Sequence, residues 1–246
     1  MKVLVTGAAG GVARLLLGGL APAFDLRLTD VAGGAGVVAG DLCEPAFARE
    51  VCAGVDAVVH LAANADPDAQ WADLRGPNAD AVVNVLDASV AAGVPRVVLA
   101  SSLHALGGYV DAGVAEVGED APPYPCCAYG ALKVFAEATA RVYADRFGLR
   151  VACLRLGGVR DEPPARSWLP GWLSGPDLVR LVTGALTADV GYGVYHGVSA
   201  NSTPQWRCDR ARAELGYAPR DDSARYAAGL PDDLAGAGGA RRLHLT

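Results

Sequence analysis

No run of apolar residues in this chain approaches the roughly 20 that a membrane-spanning helix needs, and no cluster of Lys and Arg marks a surface for nucleic acid or an anionic membrane. Acids and bases are interspersed and sum to a formal charge of −6. The expected partner is a small molecule, with no nucleic acid and no membrane; homo-oligomerisation stays open. The apolar start "MKVLVTG" breaks at Thr6 and Gly7, too short for a signal-peptide core. None of the six cysteines forms a CxxC pair, and vicinal Cys126 and Cys127 are poorly placed to chelate a metal or close a relaxed disulfide. They read as reduced thiols of a cytoplasmic protein. His60, His104, His196 and His244 match no common metal spacing, so no metal is expected. There is no internal repeat.

What is present is core-forming sequence: 52% of the 246 residues are apolar and 20% charged. Short, continuously apolar runs at 2–6, 25–30, 36–42, 56–63, 96–102 and 150–156 alternate with helical patterns at 44–54, 69–92 and 128–147. Continuous rather than alternating apolar strands belong to a parallel sheet covered on both faces. The fold class is therefore α/β, a doubly wound parallel (Rossmann) sheet. After residue 157 prolines and tryptophans loosen the pattern. The expected division is a dinucleotide-binding Rossmann domain over 1–157, a small C-terminal substrate lobe over 158–230, and a partly flexible tail over 231–246.

"TGAAGGVA" (6–13) sits between the first strand and the first helix. Gly7, Gly10 and Gly11 permit a tight turn and close approach to a ligand, and the helix start at Val12 offers free N–H groups to a pyrophosphate. Asp30 ends the second strand, about twenty positions on, where a carboxylate accepts the ribose hydroxyls and repels a 2′-phosphate. NAD is thus favoured over NADP. Farther along, Tyr129 and Lys133 of "YGALK" lie one turn apart on one helix face.

In order, "TGAAGGVA", "LTD" at 28–30, "GDL" at 40–42, "HLAA" at 60–63, Asn78, "ASSLH" at 100–104, "YGALK" and "RLGG" at 155–158 resemble the short-chain dehydrogenase/reductase superfamily in its NAD-dependent epimerase/dehydratase branch. Within that branch the chain is most similar to uronate dehydrogenases, which oxidise a free hexuronic acid with NAD. The resemblance implies a catalytic trio of Ser102, Tyr129 and Lys133, with Lys133 also at the nicotinamide ribose. A neighbouring ammonium brings a phenol toward its working range. It further implies cofactor contacts at Asp41, Leu42, Leu61, Ala62, Ala63, Asn78 and Leu156, and substrate contacts at Asn64, Ser102, Leu103, His104 and Arg166, with Arg160 the other candidate for a carboxylate clamp.

The substrate side departs from the family. Leu103 replaces the asparagine of "SSNH", Gly158 a serine, and Asn64 stands where the family has a serine. Loss of the amide at 103 predicts weak activity on hexuronic acids. The expected function is an NAD-dependent oxidoreductase acting on a uronic-acid or sugar-like substrate. An epimerase or dehydratase that retains its NAD, and a natural-product ketoreductase, are the alternatives.

Overall fold

The computed structural model describes residues 1–203 and 205–232. Most of the expected tail, 233–246 with His244, lies outside the described residues. In chain order the elements are β1 (Lys2–Thr6), α1 (Gly11–Leu20), β2 (Asp25–Asp30), β3 (Val37–Ala39), α2 (Pro45–Cys52), β4 (Ala57–His60), α3 (Trp71–Arg75), α4 (Ala81–Ala91), β5 (Arg96–Ser102) and α5 (Gly107–Asp111). Then come α6 (Ala128–Phe147), β6 (Arg150–Leu156), β7 (Gly158–Val159), β8 (Trp172–Leu173), α7 (Gly175–Thr187), β9 (Tyr192–Gly197) and α8 (Asp209–Leu215).

Seven strands form one sheet in the order β3-β2-β1-β4-β5-β6-β9, every pairing parallel. The period-2 alternation of each strand divides its apolar residues between two cores. Val3, Val5, Val59, Val98 and Leu154 face α1 and α7, meeting Leu16, Leu20, Leu178 and Leu181. Leu4, Val58, Val97, Leu99 and Val151 face α2, α4 and α6, meeting Val51, Val82, Leu86 and Ala136. This is the doubly wound sheet the apolar runs imply. The strand order reverses direction between β1 and β4, and such a switch point opens a crevice at the strands' carboxyl ends.

Three expectations change. The run at 36–42 pairs only over Val37–Ala39, and as the edge strand it is largely exposed rather than buried. The helical pattern at 69–92 is interrupted by a wider π-turn at Gly76–Asp80, where Pro77 supplies no N–H to a regular helix. The sheet also does not end near 157: α7 packs on α1, and β9 pairs with β6 from Val151↔Tyr192 to Leu156↔Gly197. What remains beside the sheet is the β7–β8 pair, a 3₁₀ turn at Arg166–Gly171, α8 and a last turn at Ser223–Gly229. Buried Glu119 ties α8 down, accepting N–H bonds from His196 (2.9 Å), Arg210 (2.6 Å) and Ala211 (3.1 Å). Among the described residues, no helix is long and apolar enough to cross a membrane.

Candidate active site

Two adjoining cavities open at the carboxyl ends of β1, β2, β4, β5 and β6. The first, of about 650 Å³, is lined from the glycine turn by Gly7 and Gly10, from β2 by Asp30, and beyond β3 by Asp41 and Leu42. Leu61, Ala62, Ala63 and Asn64 close it from the end of β4. Gly7 adopts φ +68°, and a Cβ there would sit 2.7 Å from the Ala62 backbone nitrogen, so only glycine fits. Gly10 is extended, and α1 starts at Gly11 with no side chain capping its first N–H groups. Those N–H groups remain available to a ligand anion. Asp30 is set in place by two backbone donors: Ala9 N–H to Oδ2 at 3.0 Å and Ala32 N–H to Oδ1 at 3.1 Å. Each carboxylate oxygen keeps a lone pair for a further donor.

The second cavity, of about 440 Å³, shares Leu61 and Ala63 with the first. Ser102 at the end of β5, Tyr129 and Lys133 on α6, and Leu156 at the end of β6 all line it, as do Val12, Leu103 and His104. Helix α6 begins at Ala128 because the Cys127 sulfur accepts the Gly130 N–H, at 3.4 Å. Lys133 is buried, its Nζ donating to the Ala100 carbonyl at 2.9 Å and lying 5.5 Å from the Tyr129 ring centre. Burial lowers its pKa to about 8, with Glu137 acting in the opposite sense. For Tyr129 the expected direction is reversed: burial pushes the phenol up to about 12, and Cys127 adds to the rise while the Ser102 hydroxyl lowers it. Without a bound ligand, Tyr129 keeps its proton at neutral pH.

A buried network positions α6. Glu137, one turn beyond Lys133, receives both prongs of the Arg155 guanidinium at 2.9 and 2.8 Å and the Ser101 hydroxyl at 2.5 Å. Neither Glu137 nor Arg155 carries a motif of its own in the sequence; a charged residue inside the continuously apolar run 150–156 was the available signal for Arg155, and Glu137, in a helix that mixes charged and apolar residues, had none.

The other expected contacts divide. Arg160 lines the second cavity, stacked over Trp168 at 5.2 Å, and Trp206 joins it in the wall. Arg166 does not line it. Its side chain turns toward the last turn, donating to the Leu230 carbonyl at 3.2 Å and pairing with Asp232 at 3.4 Å. Asn64 lines the first cavity rather than the second, its side-chain oxygen accepting the Asp66 N–H at 3.1 Å. Asn78 reaches neither cavity, because both ends of its amide bond the Asn64 backbone at 2.8 Å. At Gly158, where the family has a serine, a Cβ would lie 2.5 Å from the Trp168 ring, which fills that space. His60 and His196 are buried structural residues, pushed down to about 3 and about 4 by burial. Trp172 is buried in the core with its N–H on the Arg160 carbonyl.

Residues 3–159 match the family described as NAD dependent epimerase/dehydratase. The chain belongs to that family. It is 35% identical over 240 residues to a uronate dehydrogenase of Pseudomonas putida, covering 93% of this chain and 87% of that protein. It is 32% identical over 254 residues to an NAD-dependent glucose-6-phosphate dehydrogenase of Haloferax volcanii, covering 91% and 95%. A mutant uronate dehydrogenase from Agrobacterium tumefaciens complexed with NAD superposes with a TM-score of 0.83, at 31% identity, covering 92% of this chain and 86% of that one. The glycine-only contact at Gly7, the uncapped N-terminus of α1 and the doubly anchored Asp30 carboxylate fit the family's cofactor.

Asp30 sets the cofactor prediction. Removing a charge-assisted hydrogen bond costs about 1.5–3 kcal/mol, so Asp30→Ala is expected to weaken NAD binding roughly 10- to 100-fold. NADP, relieved of the repulsion, should lose far less. Titration of both proteins with both cofactors checks this; an unchanged ratio of NAD to NADP affinity contradicts it.

Proposed function

We propose that this chain is an NAD-dependent dehydrogenase of small, free sugars or sugar acids, using Ser102, Tyr129 and Lys133. The observation that carries the reading is convergence: a hydroxyl, a phenol and a buried ammonium meet in one cavity that adjoins the Asp30 cavity. When bound, NAD supplies the hydride acceptor. Ser102 donates a hydrogen bond to the reacting hydroxyl oxygen, and Tyr129 takes the proton as the carbon is oxidised. Lys133, held by the Ala100 carbonyl, stabilises the phenolate and would also hold the nicotinamide ribose. Leu61 and Ala63 form the shared wall, and Gly7, Gly10, Asp30, Asp41 and Leu42 would hold the adenosine and pyrophosphate side. Residues 158–171 then form the substrate rim.

Sugars fit the second cavity better than a bulky apolar alcohol. Its cationic and aromatic groups, Arg160, Trp168 and Trp206, line it together with the trio. The similar proteins named above act on a uronate and on glucose 6-phosphate, both anionic sugars. An arginine suits such an anion by its planar fork. Arg160 takes that role here, in place of Arg166, which is committed to residues 230–232.

The test is a substrate panel of hexuronates, aldoses and aldose phosphates with three variants. Arg160→Ala is expected to raise KM for anionic sugars roughly 10- to 100-fold, as loss of a charge-assisted bond of about 1.5–3 kcal/mol implies, and to leave neutral aldoses nearly unaffected. Arg166→Ala should change neither. Leu103→Asn should lower KM for hexuronates by restoring a donor and acceptor at the sugar. Equal effects of the two arginine variants would overturn the assignment of Arg160.

A further inference from the structure

One side-chain cluster takes no part in the reaction as derived. The 3₁₀ turn at Leu103–Leu106 carries His104, and Cys126 and Cys127 lead into α6. In sequence the histidine is far from the cysteines, and two adjacent thiols alone make a poor chelate. The fold supplies the missing third donor. His104 Nδ1 lies 3.4 Å from the Cys126 sulfur and 3.4 Å from the Cys127 sulfur, and the two sulfurs are 4.0 Å apart.

A tetrahedral zinc ion, with Zn–S bonds of about 2.3 Å and Zn–N bonds of about 2.0 Å, places its ligand atoms about 3.8 Å apart for two sulfurs and about 3.5 Å for sulfur and nitrogen. The observed triangle lies within a few tenths of an ångström of those edges. We propose that His104, Cys126 and Cys127 form a binding site for a soft divalent cation of the zinc type. Two thiolates and an imidazole are the ligand set that selects such ions over magnesium or calcium. Binding releases the two thiol protons, and no electron is transferred. The Gly130 N–H already donates to the Cys127 sulfur, an outer bond of the kind that steadies a metal-bound thiolate. Half-buried Cys126 gives the ion an entry path, and three protein ligands leave a fourth position for water.

The site touches the active centre. The His104 ring stands edge-on to Tyr129, with ring centres 5.6 Å apart, and both line the second cavity. A metal on His104 would clamp the Leu103–Leu106 turn to the start of α6, so zinc is expected to slow turnover. This consequence rests on the function proposed above; the binding itself does not.

The experiment uses the metal-free, phosphine-reduced full chain. Titration with Co²⁺ should produce a thiolate-to-cobalt charge-transfer band that saturates at one equivalent and disappears on adding Zn²⁺. Zinc affinity is then measured by competition with a chromophoric chelator. Cys126→Ser removes a direct ligand and should weaken zinc at least about 100-fold, beyond the 10- to 100-fold typical of outer-shell changes. Cys43→Ser, a half-exposed thiol elsewhere, should leave affinity unchanged. Absence of the charge-transfer band, or equal zinc affinity in Cys126→Ser and the wild type, overturns the site. A zinc-loaded chain with unaltered turnover overturns the link to the active centre, while the cobalt spectrum decides the site independently of any activity.

Discussion

Tyr129→Phe is expected to lower kcat by about 10²–10⁴-fold, the span that a general acid–base group supplies, while NAD affinity stays within a few-fold. The substitution removes one oxygen from a buried ring and leaves its edge contact with His104 in place. A pH profile separates loss of the proton acceptor from loss of packing. Burial holds the unliganded phenol up at about 12, so the active, deprotonated fraction grows as pH rises. Wild-type oxidation should therefore accelerate toward alkaline pH, helped by the positive charge of oxidised NAD and, below about pH 8, by that of Lys133. In Tyr129→Phe that dependence should be lost along with the rate. A variant that keeps both rate and slope would place the proton on another group.

The second large effect is on stability. Arg155 and Glu137 form a bidentate pair with side-chain exposures of 4% and 5%. Replacing such a pair with apolar groups is often tolerated, but removing one partner strands a buried charge at about 3–5 kcal/mol. Arg155→Met is expected to lose that much in urea unfolding, read as a lower midpoint at constant slope. The double variant Arg155→Met with Glu137→Leu should recover most of it. Glu137 also bears on Lys133, whose pKa it raises against burial, so the double variant, which lacks that carboxylate, should lower the Lys133 pKa further. A stability change under 1 kcal/mol would mean that the Ser101 hydroxyl suffices to hold the Glu137 carboxyl.

The sequence made the cofactor half legible because its signals are local. A strand, a glycine turn and a helix start are contiguous, and Asp30 follows at the spacing of one βα unit. The Tyr129–Lys133 pair was legible for the same reason, being one helical turn. A further signal was present: Lys2 and Lys133 are the only lysines among the 21 basic residues. In a chain that otherwise uses arginine, a buried lysine in mid-helix stands out.

The substrate half was less legible because distant contacts decide it. Arg160 and Arg166 are equivalent as sequence. In the structure, stacking on Trp168 turns one into the cavity, and Leu230 with Asp232 draws the other away. Asn78 occupied a family position, yet both ends of its amide went to the Asn64 backbone. Edge strand β3 and sheet strand β9 likewise depend on what pairs beside them, which a linear apolar pattern does not encode. Cys126, Cys127 and His104 met only through a turn of the folded chain.

The most direct test of the central claim is the stoichiometry of NADH formed when the wild-type chain, at low concentration, is mixed with excess NAD and the best substrate of the sugar panel. Absorbance should rise through many equivalents of NADH per chain, with one oxidised sugar formed for each. A rise that stops at or below one equivalent per chain, while the sugar is isomerised or dehydrated, would contradict the account and assign the trio to an enzyme that keeps its NAD.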